Sequence, residues 1–280
     1  MNSTETLVDP ATSGQTPTAI DEAAGGHPRR WWVLAVLCLS LFLVVVDNTI
    51  VNVALPTLSA DLNASTTELQ WIVDAYTLVF ASLLLAFGHF GDRFGRRGAL
   101  ALGLILFGAT SALAAFATSA GGLIGVRALM GVGAALVFPA TLAILMNVFT
   151  DKKQRAAAIG IWSGATGMAV AAGPVAGGFL LEHFWWGSVF LVNVPIVVVA
   201  VVAVMFVVPT SKDPDSGRMD WFGLVLSVAS IGLLVWSIIE GPRLGWTSAA
   251  IVAGGLSALA LLALFIWWER RVSHPLLDVG

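Results

Sequence analysis

Eight stretches of this chain are apolar for about 20 residues or more, and that leaves one kind of fold open to it. They cover 31–52, 71–91, 98–118, 122–149, 156–181, 188–208, 220–240 and 248–268. At about 1.5 Å per residue, each reaches across roughly 30 Å of hydrocarbon as a helix. Strands are excluded, because period-2 alternation is absent and open strands would leave backbone groups unpaired in lipid. The expectation is an all-α, polytopic membrane helix bundle with eight transmembrane helices. Composition agrees: 58% of residues are hydrophobic and 11% charged, against about 25% charged in soluble domains.

The charges are segregated by loop, so the net charge of −3 presents no face to nucleic acid. The single cysteine, Cys38, lies inside the first apolar run and reads as a packing residue. One thiol makes no internal disulfide and no thiolate metal site. Residues 1–28 are rich in Ser, Thr, Ala, Gly and Pro and are expected to be disordered. The first apolar run is long enough to span, so it reads as the first membrane helix rather than a cleaved secretory signal.

With the N-terminus inside, the inner segments hold Arg29, Arg30, Arg93, Arg96, Arg97, Lys152, Lys153, Arg155, Lys212, Arg218, Arg270 and Arg271. Only Arg243 falls outside, and Arg127 falls within a span. The bias of Lys and Arg toward cytoplasmic loops selects that orientation, with a cytoplasmic N-terminus in a plasma or inner membrane. Pro56 is read as following the first helix, where a proline costs little. Ser65 and Glu68 have capping-box spacing before the second helix. The polar stretch 211–217 marks a boundary. The expected organisation is a disordered segment 1–28, a six-helix bundle at 29–210, and two additional helices in 211–280.

Asp47 is the residue that most needs an explanation. A carboxylate within a membrane span costs about 2.5–3.5 kcal/mol on insertion scales, so its default reading is functional. Arg127, also intramembrane, needs an anionic partner. Counted from the outer ends of their predicted helices, both lie about 7–8 Å deep, which permits a pair. Asp74, near the start of the second helix, has similar depth and is a candidate second acid. Burial opposes the charge on Asp47 and a neighbouring guanidinium favours it, a balance suited to loading and releasing a proton. The alternative reading is a buried ion pair that only fixes packing.

Three further patterns accompany Asp47 and Arg127. Gly88, Asp92, Arg93, Gly95, Arg96 and Arg97 fall in a short inner loop between the second and third spans. Gly131 and Gly133 follow Arg127 in the fourth span. The fifth span carries Gly167, Gly173, Pro174, Gly177 and Gly178. With the segment from Asp47 to Pro56, these resemble the major facilitator superfamily, and within it the fourteen-span drug:proton antiporters of the multidrug efflux group. The segment Asp220-Trp221-Phe222-Gly223, the stretch 241–246 and the closing 274–278 are similar to the fourteen-span branch. Two positions depart from the family: Met130 stands where a glutamine is common, and Trp186-Gly187-Ser188 where Trp-Arg-Trp is common.

The resemblance implies a proton-coupled efflux antiporter of amphiphilic, cationic drugs, with no cofactor and no enzymatic activity. It implies that Asp47 and Arg127 face a central cavity and couple protons to substrate. It implies that the 88–97 loop gates the cytoplasmic side and that the fifth-span glycines form the antiporter motif. It also implies a second six-helix bundle, absent from this sequence, which is read as an N-terminal portion. The expected partners are small amphiphilic substrates, protons and the lipid bilayer. Another major facilitator solute transporter, or a non-transporting membrane remnant, are the alternatives. His89 is read as a packing residue.

Overall fold

The computed structural model describes residues 27–212 and 220–272. The expected disorder of 1–26, the polar break from 213 onward with Arg218, and the segment 274–278 lie outside the described residues. Within them the chain is helical: α1 (Arg30–Leu62), α2 (Thr66–Phe94), α3 (Arg96–Ala115), α4 (Ala120–Val148), α5 (Lys152–His183), α6 (Ser188–Leu191), α7 (Asn193–Val207), α8 (Trp221–Leu244) and α9 (Ala249–Glu269). The short α6 continues into α7 as one 20-residue span, so among the described residues eight helices are long and apolar enough to cross a membrane.

Local chemistry sets the helix ends. Ser65 accepts a bond from the Glu68 amide while its own amide donates to Glu68 Oε2 at 2.9 Å, the capping box expected from sequence. Asp151 and Ser119 cap α5 and α4 through the amides of Gln154 and Gly122. Asp220 accepts from the amides of Phe222 and Gly223, and its second oxygen accepts from Trp268 Nε1, which ties the start of α8 to the end of α9. Arg243, expected in an outer loop, belongs to the last turn of α8.

α1 departs most from expectation. It runs ten residues past Asn52, and Pro56 lies inside it. Ile50, Ala54 and Leu58 are all fully buried, so the helical spacing of the core face carries on through the proline. Loss of one backbone bond at Pro56 is outweighed by that burial. The helix stops at Asn63, whose left-handed φ of 49° an asparagine tolerates.

α4 is the central strut, packed against α2 and α3, while α1 packs against α5 and α7. Glycines allow these contacts. A Cβ on Gly131 would meet the Tyr76 carbonyl oxygen of α2 at 2.6 Å, and one on Gly133 the Gly103 carbonyl of α3 at 2.9 Å. Gly187 faces the Ala115 carbonyl, with which a Cβ there would collide. α8 and α9 form an antiparallel pair that packs through α8 onto α2. Gly131→Ala should cost about 1–3 kcal/mol by overpacking backbone. Gly255→Ala, where a Cβ meets nothing within 4 Å, should be neutral or stabilise by about 0.5–1 kcal/mol. Thermal unfolding of the two variants in detergent checks the contrast.

Candidate functional site: a sealed ion pair

Asp47 and Arg127 meet. Arg127 Nη1 lies 2.5 Å from Asp47 Oδ2, and both side chains are 0% exposed. The helices bring them together from unequal distances. Asp47 is fifteen residues from the C-terminal end of α1, about 22 Å along its axis, whereas Arg127 is seven residues into α4, about 10 Å. Asp47 therefore lies farther from the end of its helix than the sequence reading counted, because α1 is longer than its sequence signal.

The carboxylate and guanidinium are embedded in a polar network that crosses five helices. Asp47 Oδ1 accepts from Asn193 Nδ2 at 2.8 Å, and Asn193 also donates to Ser111 Oγ at 3.0 Å. Ser111 in turn donates to the Phe190 carbonyl at 2.8 Å. Arg127 Nε donates to the Ile72 carbonyl at 2.9 Å, and its Cζ sits 4.4 Å from the centre of the Tyr76 ring. Tyr76 donates its hydroxyl to the Val44 carbonyl. Met130, at the position where the family often carries glutamine, places its sulfur 4.0 Å from Arg127 Nη1.

Each oxygen of Asp47 thus has a donor, and the pair faces the interior of the bundle rather than an open cavity. The expectation of a cavity-facing Asp47 is corrected: helix α7, through Asn193, closes over it. Next along α1, Asn48 carries a buried Oδ1 without a partner among the described residues, and Asn52 is exposed. Asp74 does not join the pair. It is half-buried on α2, the helix against which α8 packs; on α8, Glu240 is 4% exposed and bonded to Arg243 Nε at 2.6 Å. Asn193, Ser111, Tyr76 and Glu240 were not singled out by the sequence; a polar residue inside the apolar run 188–208 was the signal for Asn193.

The pattern at 88–97 is not a loop. Gly88, Asp92 and Arg93 lie in the last turns of α2, and Gly95 alone separates α2 from α3. Its φ of 118° requires glycine. Asp92 accepts from Arg96 Nε at 2.6 Å across that hinge. Arg93 lies over the Phe94 ring, and Arg97 turns the other way to the Val208 carbonyl. Beside Asp92 a cavity of about 350 Å3 is lined by Gly88, His89, Phe138 and Pro139. His89 Nε2 is buried there without a partner among the described residues.

On α5 the glycines divide. Gly173 presses on Thr49 and Ile50 of α1 so closely that a Cβ would collide with Thr49, and Gly177 packs tightly on Ile50 and Val53, where a Cβ would have to displace its neighbours slightly. Gly167 and Gly178 meet nothing within 4 Å. Pro174 is exposed and cannot donate to the Val170 carbonyl. The residues that Gly173 contacts immediately follow Asp47, so α5 bears directly on the helix that holds the ion pair.

A charge pair buried inside a bundle of close-packed, membrane-length helices marks this chain as a polytopic membrane protein whose intramembrane charges need a functional account. Residues 37–221 match the sequence profile of the Major Facilitator Superfamily, and the chain belongs to that family. It is similar to the multidrug efflux pump LfrA of Mycolicibacterium smegmatis, 44% identical over 252 residues that make up 90% of this chain and 50% of that protein. It is 40% identical over 255 residues to the methyl viologen resistance protein SmvA of Salmonella typhimurium, across 90% of this chain and 51% of that one. The tetracenomycin C resistance and export protein of Streptomyces glaucescens is 35% identical over 279 residues, 99% of this chain and 51% of its own length. The chain spans about half the length of these relatives.

Removing one member of the buried pair leaves the other uncompensated. Arg127→Met should destabilise the bundle by about 3–5 kcal/mol, and adding Asp47→Asn should recover most of that loss. A double-mutant cycle on unfolding midpoints measures the coupling.

Proposed function

We propose that the protein is a proton-coupled efflux antiporter of amphiphilic, cationic compounds. The observation that carries this reading is the sealed Asp47–Arg127 pair with its Asn193 tie. A proton on Asp47 removes the attraction that holds Arg127 against it, so α1, α4 and α7 lose their electrostatic fastening. Once α7 moves off the pair, a lipophilic cation instead favours the ionised carboxylate. Proton and cation then exclude one another, and that coupling is reciprocal.

Three relatives named for multidrug efflux, methyl viologen resistance and tetracenomycin C export support a drug substrate. Methyl viologen is a permanently charged dication, which favours the cationic class. We further propose an N-terminus inside a plasma or inner membrane, with 29–210 as one six-helix bundle and α8 and α9 as the two extra spans of a fourteen-span protein. The exposed apolar face of α5, with Ile161, Met168 and Val175, is the side offered to a second six-helix bundle. The hinge around Asp92, with Gly88, Gly95, Arg93 and Arg96, is the cytoplasmic gate, and its neighbouring 350 Å3 cavity is the seat for a helix end of that bundle. Gly173 and Gly177, flanked by Pro174, control how α5 slides on α1. Asp74 with Glu240 is a second carboxylate station toward α8.

In an efflux-deficient host, the protein should confer resistance to cationic dyes, and Asp47→Asn should reduce efflux at least about tenfold. Everted vesicles should accumulate dye when an inside-acid pH gradient is imposed. Efflux indifferent to that gradient would overturn proton coupling. Transport of sugars or metabolites without dye efflux would point to another solute class, and no transport of any kind to a membrane remnant. Loss of efflux in Asp92→Ala with none in Asp47→Asn would overturn the assignment of the proton site.

A further inference from the structure

One crevice of the bundle takes no part in the ion pair. α3 and α7 lie side by side, and between them runs an apolar groove of about 330 Å3 lined by Ile105, Gly108, Ala109, Val197, Val198 and Val201. Ile105 and Val198 are more than half exposed, so the groove opens outward. Where α3 begins and α7 ends, the same crevice changes character. A cavity of about 480 Å3 there is lined by Arg97, Lys212, Thr210 and Ser211, with Phe94 and Met205 as its apolar side. A neighbouring cavity of about 390 Å3 shares Arg97 and Thr210 and adds His27 and Arg29.

The cations of this end are not neutralised within the described residues. Arg97 donates to the Val208 carbonyl at 3.4 Å, and none of Arg29, Arg97 and Lys212 is in an ion pair there. Ser211 Oγ is buried without a partner among the described residues. α3 starts at Arg96, so the positive end of its dipole faces the same place. Arg97 and Ile105 are eight residues apart on α3, about 12 Å, within the reach of one acyl chain.

We propose that this crevice binds an anionic phospholipid, with its phosphate held by Arg97, Lys212 and Arg29 and an acyl chain lying along the α3–α7 groove. Charge complementarity selects the ligand. Three cations attract a headgroup of net negative charge, whereas the choline of a zwitterionic headgroup adds a cation to them. The groove requires a chain, which a free phosphate lacks. The site is separate from the Asp47 network and stands whether or not transport is proton-coupled.

Native mass spectrometry of the purified protein, titrated with phosphatidylglycerol, phosphatidylcholine or inorganic phosphate, tests the assignment. Phosphatidylglycerol should be retained at least about tenfold better than phosphatidylcholine, since each cation at an anionic surface is worth about fivefold. Arg29→Gln with Lys212→Gln should lower its retention about 25-fold by the same scale. Ala109→Trp, which fills the groove, should weaken phosphatidylglycerol binding as well. Equal retention of the two lipids by the unaltered protein overturns the proposal without recourse to any variant. Displacement of phosphatidylglycerol by an equal concentration of inorganic phosphate overturns it too, and assigns the pocket to a free anion. Undiminished lipid binding in a folded double variant removes the headgroup assignment.

Discussion

The packing of this bundle depends on one buried contact between opposite charges. Arg127 and Asp47 are both cut off from water, where a lone charge costs several kcal/mol, so neither position is tolerable without the other. Their requirement for further partners recruits the surrounding helices. Asn193 brings α7 to the second oxygen of Asp47, Ser111 brings α3 to Asn193, and the Ile72 carbonyl brings α2 to the guanidinium. Five helices are held in register by a chain of bonds that lipid could not replace.

That network forms only because the backbones come close. Gly131 and Gly133 place α4 against α2 and α3, and Gly173 and Gly177 place α5 against α1 just beyond Asp47. In lipid, where apolar side chains gain little by leaving the acyl chains for one another, such small-residue contacts and internal hydrogen bonds supply the association. Surfaces where this does not hold are informative by contrast. Gly167 and Gly178 face open space on α5, and the α3–α7 crevice has an apolar wall and a basic end.

Much of the fold was legible because membrane spans have a strong linear signal. Length and apolarity located eight spans to within a few residues at most ends, and Ser65 with Glu68 announced its capping box. The exception, α1, misled through Pro56: a proline reads as a stop, yet the burial of Ile50, Ala54 and Leu58 carries the helix on. The pattern 88–97 misled in the same way. Its glycines and charges look like a loop, but only Gly95 leaves helical geometry.

By itself the sequence determined that the chain is a bundle of membrane-spanning helices, and it pointed to Asp47 as a partner for Arg127, because an intramembrane charge admits few other solutions. It also determined the family. Tertiary structure alone decided that the pair is sealed, that Asn193 and Ser111 complete it, and that Asp74 stays outside it. The reason is physical: hydrophobicity and charge cost are properties of single residues along the chain, whereas enclosure depends on which faces of distant helices meet. Those faces are set by glycine contacts and helix lengths that act only once the whole bundle has closed.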